Sequence, residues 1–404
     1  MVFTLRKADA PRTKVLTIDT ECIADIADDS LKGYTRAFIL IRVHGRPVGQ
    51  VFSAIRDGRL TASDLKEAIL PIAQWSLIEN RVHDFLGWQD EYVRHTSTDQ
   101  ATVAVCTRDR PEDLCRCLTA LRSMPDDGQE ILVIDNCPRT DQSERVVRNF
   151  PGVRYVLERT PGVSAARNRA LREATHGIVA FSDDDAAPSR GWLRALLRAF
   201  KEPSVMCVTG LTLPFELETP AQNWFERHTP FGRGYKRFTT EVTDGNPLNV
   251  ARVGTSANMA LRKSVIDYVG LFDEALGPGT RCKTGEDFDM FSRILTSGYG
   301  IIYDPDAVSW HRHRREWDEL RRTVYGYGLG VYAYMTKQAI CNREFGVASI
   351  AYGWARHIQL PALLRSLRGD ESGKPIDILL AELCGCLIGP WAYLLSRVQR
   401  ATKR

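Results

Sequence analysis

The sequence lacks the marks of several protein classes. Its ten cysteines form no Cys-x-x-Cys pair and stand with no histidine at zinc-finger spacing, which excludes a structural zinc module of that kind. They are scattered among apolar runs, as buried free thiols in a reducing compartment are. No uncharged apolar run reaches about 18 residues. The nearest, "LCGCLIGPWAYLLS" at 383–396, has 14 and contains Pro390. It is short for a span and predicts a buried core helix or an interfacial segment. Arg365, Arg368 and Lys374 before it, and Arg397, Arg400, Lys403 and Arg404 after it, support the second. The opening "MVFTLRKADAPRTK" has no apolar core of the signal-peptide kind. The net charge is only +4, so a chain that coats nucleic acid is not expected. There is no internal repeat.

What is present has a clear order. The 404 residues, 44% of them hydrophobic, suffice for two or three domains. Residues 1–95 read as a small α+β unit. It has strands at 37–43 and 47–55 around "HGR", and a helix over 61–82 capped by Thr61 or Ser63, with Leu65, Ile69 and Ile72 on one face. A polar linker follows at 93–100. From 101 onward, strands at 102–107, 130–135, 153–158 and 177–182 alternate with helices at 111–123, 140–150, 162–174 and 189–200. This alternation builds a parallel sheet with helices on both sides, which binds ligands at the carboxyl ends of its strands. Polar groups collect at that edge: Thr107-Arg108-Asp109, Asp135-Asn136 and Asp183-Asp184-Asp185. Beyond 204 come an apolar run (205–213), a long polar and aromatic loop (225–247) and a strand-to-helix passage (254–266). A helix opening on acids (284–300) and a strand ending in a basic, histidine-rich segment (301–317) follow.

Three adjacent carboxylates repel one another and are costly to bury without a partner. The triplet Asp183-Asp184-Asp185 therefore reads as a solvated capping turn or as a divalent metal site. Mg²⁺ or Mn²⁺ takes a few carboxylate oxygens and fills its shell with diphosphate. In an extended turn Asp183 and Asp185 share a direction. Glu286 and Asp287 fit a helix first turn as well as a site. His311 and His313 fit a core as well as a ligand set, and Arg167 and Asn168 fit packing as well as binding.

Taken in order, Thr107, Asp135, "GVSAARN" (162–168), "FSDDDA" (181–186), "GTSANMALRK" (254–263), "GEDFD" (285–289) and "SWHRH" (309–313) resemble an inverting family 2 glycosyltransferase. The resemblance covers about residues 100–315. It implies an α/β, GT-A type nucleotide-diphospho-sugar transferase fold, a mostly parallel sheet flanked by helices. The small N-terminal α+β unit and a helical C-terminal extension (316–404) lie outside it. It implies that Asp135 bonds the nucleotide base, with Thr107 near the nucleoside and Arg167 near the diphosphate. Asp183 and Asp185 form the DxD pair on Mn²⁺ or Mg²⁺, and Asp184 reaches the ribose or sugar. Asp287 is then the catalytic base with Glu286 beside it, and His311 completes the metal shell, His313 being the weaker choice.

The expected partners are a nucleotide-diphosphate sugar (UDP or dTDP) and a glycan, lipid-linked or small-molecule acceptor. An anionic membrane surface is a further expected partner. Residues 311–335, rich in Arg and carrying Tyr325, Tyr327, Tyr332 and Tyr334, fit a hold for a lipid-linked diphosphate acceptor or a rest on such a membrane; the same stretch also fits an amphipathic helix pair packed on the catalytic domain. The expected location is cytoplasmic, peripheral at the inner face of the cell membrane. Two rivals stay open. A nucleotidyltransferase shares the sheet and the metal, but would place a glycine-rich loop where "TRDRPEDL" (107–114) stands. A non-catalytic nucleotide-sugar-binding protein would keep the same fold.

Overall fold

The computed structural model describes residues 12–87, 100–368 and 374–402. Residues 1–11, the linker at 93–99, and Lys403 and Arg404 lie outside the described residues.

The N-terminal unit is a three-stranded sheet, β1 (Thr13–Asp19), β2 (Arg36–Val43) and β3 (Arg46–Ala54), covered by helix α1 (Ala62–Leu86). β1, not expected from the sequence, pairs parallel with β2. β2 and β3 are joined through His44-Gly45, both at positive φ, which suits a tight two-residue hairpin. The Thr61 hydroxyl accepts from the Asp64 amide at 3.1 Å and so caps α1. Leu65 and Ile69 are buried, whereas Ile72 is partly exposed. The other face of the sheet packs on the main domain: Phe38 and Leu40 meet Leu211, Leu213 and Tyr303 in one apolar cluster.

The main domain alternates as expected: β4 (Ala101–Thr107), α2 (Pro111–Arg122), β5 (Glu130–Asn136), α3 (Gln142–Arg148), β6 (Val153–Glu158), α4 (Val163–Glu173), β7 (Ile178–Asp183), β8 (Ala186–Pro188) and α5 (Trp192–Arg198). Then come β9 (Val205–Pro214), α6 (Pro220–His228), β10 (Phe238–Thr240), β11 (Asn258–Arg262), α7 (Val265–Tyr268), α8 (Glu286–Thr296) and β12 (Gly300–His311). The sheet order is β10-β12-β9-β11-β7-β4-β5-β6, with β8 paired to β12. It is parallel across β7, β4, β5 and β6, while β11 runs antiparallel to both neighbours. The sheet is therefore mixed, its first half being the parallel part read from the sequence.

Two apolar layers sandwich it. Val103, Val105, Leu114, Leu118 and Trp192 fill one face; Ala104, Leu132, Leu171, Phe181 and Phe291 fill the other. This is why the strand sequences are apolar at successive positions rather than alternating. Asn258 pins the middle of the sheet. Its carboxamide accepts from the Trp192 indole at 2.7 Å and donates to Leu211 and Ala307 carbonyls at 3.1 and 2.8 Å, so both ends of this buried amide are satisfied.

The loop expected at 225–247 is partly helix, because α6 reaches His228. Thr219 caps α6 in a capping box with Gln222, and Pro220 opens it. The C-terminal region is helical: α9 (Trp317–Cys341), α10 (Val347–Trp354), α11 (Leu360–Leu367) and α12 (Ile376–Ala401). α12 has 26 residues, enough length and apolar character to cross a membrane, unlike the short segment read at 383–396. One of its faces packs along α9. A Cβ at Gly389 would stand 2.5 Å from the Leu329 carbonyl oxygen, so the two backbones touch there. Tyr325, Tyr327, Tyr332 and Tyr334 on α9 are buried or half-buried. α9 packs against α12 and the main domain, as the packed-helix reading of this stretch expects.

Candidate active site

The strand ends deliver the acids. β7 ends at Asp183, a two-residue turn follows, and β8 leaves at Ala186. β8 pairs antiparallel with β12, with His311 opposite Ala186. That register places a histidine remote in sequence beside the carboxylate turn. One ligand atom each from Asp183, Asp185 and His311 lies within 4.8 Å of the others. His311 Nε2 stands 3.1 Å from Asp185 Oδ1. Two carboxylates and an imidazole suit Mn²⁺ or a similar divalent ion.

The electrostatics fit a cation-binding corner. Burial opposes charge on Asp185, but His311, Arg110 and Arg314 hold its carboxyl well below the usual range. Burial likewise opposes charge on His311, yet Asp185 raises its pKa. A metal ion would take the place of that imidazole proton. Asp184 turns inward instead: it accepts from Thr107 Oγ1 at 2.9 Å and from Arg110 Nη1 at 3.1 Å. Burial first, and then Asp185, raises its pKa. The triplet thus splits into two acids beside His311 and one that ties the turn to β4.

Arg110 was not singled out in the sequence. Its Nη1 also donates to Asp185 Oδ2 at 3.1 Å. The signal was the Pro111 helix start, which fixes residue 110 at the ligand edge of the sheet.

The second group stands on α8. Gly285 precedes it at φ 97°, and a Cβ there would meet the Gly330 carbonyl oxygen at 2.5 Å, so the turn requires glycine. Glu286 and Asp287 then occupy the first turn, where the helix dipole favours anions. Glu286 is buried and accepts from Arg167 Nη1 at 2.8 Å. Burial, and then Asp287, raises its pKa against the pull of Arg167. Arg167 Nη2 lies 3.6 Å from Asp183 Oδ1, so one buried guanidinium joins the α8 acids to the metal corner. Asp287 is half-buried. Among the described residues its Oδ2 has long contacts, 3.4 Å, to the Ser256 amide and hydroxyl, while Oδ1 accepts from the Phe288 amide at 2.9 Å. Asp287 lines the same cavity as the acid turn.

One cavity of about 1350 Å³ holds these groups. Thr107, Arg110, Arg167, the Asp183–Asp185 turn, Glu286, Asp287 and His311 all line it. Asp135 is fully buried at the end of β5, behind the cavity wall, where its neighbour Asn136 stands. Its Oδ2 accepts from the Tyr155 hydroxyl at 2.9 Å, its Oδ1 has no partner among the described residues, and burial pushes its pKa up to about 6. His313 is not in the metal cluster. Its Nε2 pairs with the buried Glu226 at 3.0 Å. Asn168 serves packing, bonding the Phe272 backbone in both directions.

Comparison with known proteins agrees with this geometry. Residues 102–270 match the sequence model of Glycosyl transferase family 2. This chain carries a family 2 glycosyltransferase domain. A pre-mycofactocin glycosyltransferase of Mycobacterium tuberculosis is 30% identical over 237 residues, 56% of this chain and 46% of that protein. The chain thus spans about half the length of that relative. Glycosyltransferase AglE of Haloferax volcanii is 25% identical over 256 residues, 61% of this chain and 78% of its own. Among solved structures, a Pyrobaculum calidifontis mannosyltransferase in complex with GDP-Man and Mn²⁺ superposes with a TM-score of 0.51 at 18% identity. The match covers 73% of this chain and 88% of that one, and it shows that the glycosyltransferase domain has the GT-A fold.

Proposed function

We propose that the protein transfers a sugar from a nucleotide-diphosphate donor to an acceptor hydroxyl, in glycan synthesis, with inversion at the anomeric carbon. The observation that carries this reading is the meeting of the Asp183–Asp185–His311 corner and Asp287 in one cavity, linked through Arg167.

The roles follow from charge. Asp183, Asp185 and His311 would hold Mn²⁺ or Mg²⁺, which neutralises charge on the leaving diphosphate. Arg167 supplies a fixed positive charge at the same corner, and its buried bond to Glu286 holds it there. Asp287 Oδ2 accepts the acceptor proton as the hydroxyl oxygen attacks. One displacement suffices, so a second carboxylate nucleophile is not needed, in contrast to a retaining glycosidase. Thr107 and Asp184 brace the acid turn. The orphaned Asp135 Oδ1 is suited to a base N–H of the nucleotide, once Asn136 yields room. The ten unpaired cysteines support a cytoplasmic location.

The test is donor hydrolysis over UDP-, dTDP- and GDP-sugars with Mn²⁺ or Mg²⁺. Release of nucleoside diphosphate from one donor class supports the reading. Tight binding of nucleotide sugars with no turnover under any acceptor or metal would instead favour a binding protein.

A further inference from the structure

α12 has two faces. Gly385, Cys386, Gly389, Ala392, Tyr393 and Ser396 are buried against α9 and the main domain. On the other face Leu380, Leu387, Ile388, Trp391, Leu395 and Val398 recur at helical spacing, with Leu387 75% and Trp391 68% exposed. The stripe runs about 27 Å at 1.5 Å per residue. α11 adds Leu360, Leu364 and Leu367, also exposed and one turn apart. A contiguous apolar surface of this kind marks an interaction site.

Charge selects the partner. Residues 345–404 carry eight Arg and Lys against four Asp and Glu, so this segment alone accounts for the net +4 of the chain. Arg356, Arg365, Arg368 and Arg397 are exposed among the described residues. Two of the acids are engaged: Asp377 accepts from the Trp317 indole at 2.8 Å, and Glu382 pairs with Lys374 at 2.5 Å. Exposed leucines and a tryptophan on a segment that also exposes these arginines fit an anionic lipid surface better than a protein groove.

We propose that the outer face of α11 and α12 seats the protein on an anionic bilayer, with α12 lying in the interface plane. α12 does not cross the bilayer, because its glycine face is locked to the α9 backbone and cannot turn to lipid. The catalytic cavity reaches the same place. Trp354, Ile358, Gln359 and Cys386 line it, and Ile358 is also 51% exposed. Docking therefore brings a mouth of the cleft to the lipid surface. The docking does not depend on the glycosyltransferase reading, since flotation and donor turnover are separate measurements.

The test uses the full chain and vesicles of phosphatidylcholine, alone or mixed with phosphatidylglycerol. The chain is expected to float with the mixed vesicles at low salt, at least tenfold more than with the neutral ones, and to be released by high salt. A Leu387→Glu/Trp391→Glu variant, soluble and with unchanged circular dichroism, is expected to lose flotation. Arg365→Glu/Arg368→Glu is expected to weaken it severalfold. Absence of flotation by the wild type, or equal flotation by the apolar-face variant, overturns the proposal. Retention on vesicles through alkaline carbonate overturns the in-plane placement. A wild-type dimer that the Leu387→Glu/Trp391→Glu variant splits, with no flotation, assigns the face to a second copy instead.

Discussion

Arg167 and Glu286 form a buried ion pair at 2.8 Å, one on the helix after β6 and the other on the helix before β12. Both side chains are about 5% exposed or less. Such a pair is weak evidence for stability as a whole, but removing one partner strands the other. Arg167→Met is expected to cost about 3–5 kcal/mol. The matching Arg167→Met/Glu286→Gln double variant is expected to cost less than the sum of the singles. Urea denaturation of all four proteins gives the coupling, and additivity would show that the pair does not act as a unit.

Glu226 and His313 set a pH dependence. Burial pushes the Glu226 pKa up to about 8, and burial also drives His313 well below its usual value. The folded chain therefore keeps a proton on Glu226 that the unfolded chain releases near its ordinary pKa of about 4.3. The native state binds more protons in this window, so this contribution to stability falls as pH rises from about 4 to about 8 and is level above. Glu226→Gln keeps a donor toward His313 and removes the titration. The melting temperature of wild type relative to Glu226→Gln is expected to fall across that window. A constant difference would mean that Glu226 titrates normally.

Gly389 tests the join between α9 and α12. Gly389→Ala places a methyl 2.5 Å from the Leu329 carbonyl oxygen, and overpacking of this kind costs about 1–3 kcal/mol. Leu387→Ala, on the exposed face of the same helix, is expected to be near neutral. Thermal unfolding of the two variants compares them directly.

Much of this was legible in the sequence, for physical reasons. The parallel half of the sheet announces itself because its strands are buried on both faces and read as short apolar runs between helices. The acids at 183–185 stand out because their repulsion demands a partner. β1 was missed: its "TKVLTID" alternates weakly and sits next to a linker-like stretch. α6 was missed although Thr219-Pro220 and Gln222 spell a capping box, because the aromatic and basic residues after it read as loop. The meeting of His311 with Asp185 depends on the β8–β12 register, which no local pattern encodes. Glu226 as the partner of His313 was out of reach for the same reason.

The metal corner makes its own prediction. Wild-type donor turnover is expected to stop with a strong chelator and return with Mn²⁺. Asp185→Asn and His311→Ala are each expected to weaken Mn²⁺ binding about 10- to 100-fold or more, measured by paramagnetic resonance. His313→Gln is expected to leave Mn²⁺ binding unchanged. Equal loss in all three would move His313 into the ligand set.

The central claim is that Asp287 takes the acceptor proton while the rest of the cavity holds the donor. Its most direct test is Asp287→Asn in the donor class that the wild type turns over. Turnover is expected to fall about a hundred- to ten-thousand-fold, with nucleotide and Mn²⁺ affinity within about threefold of wild type. Full turnover by Asp287→Asn would contradict the account.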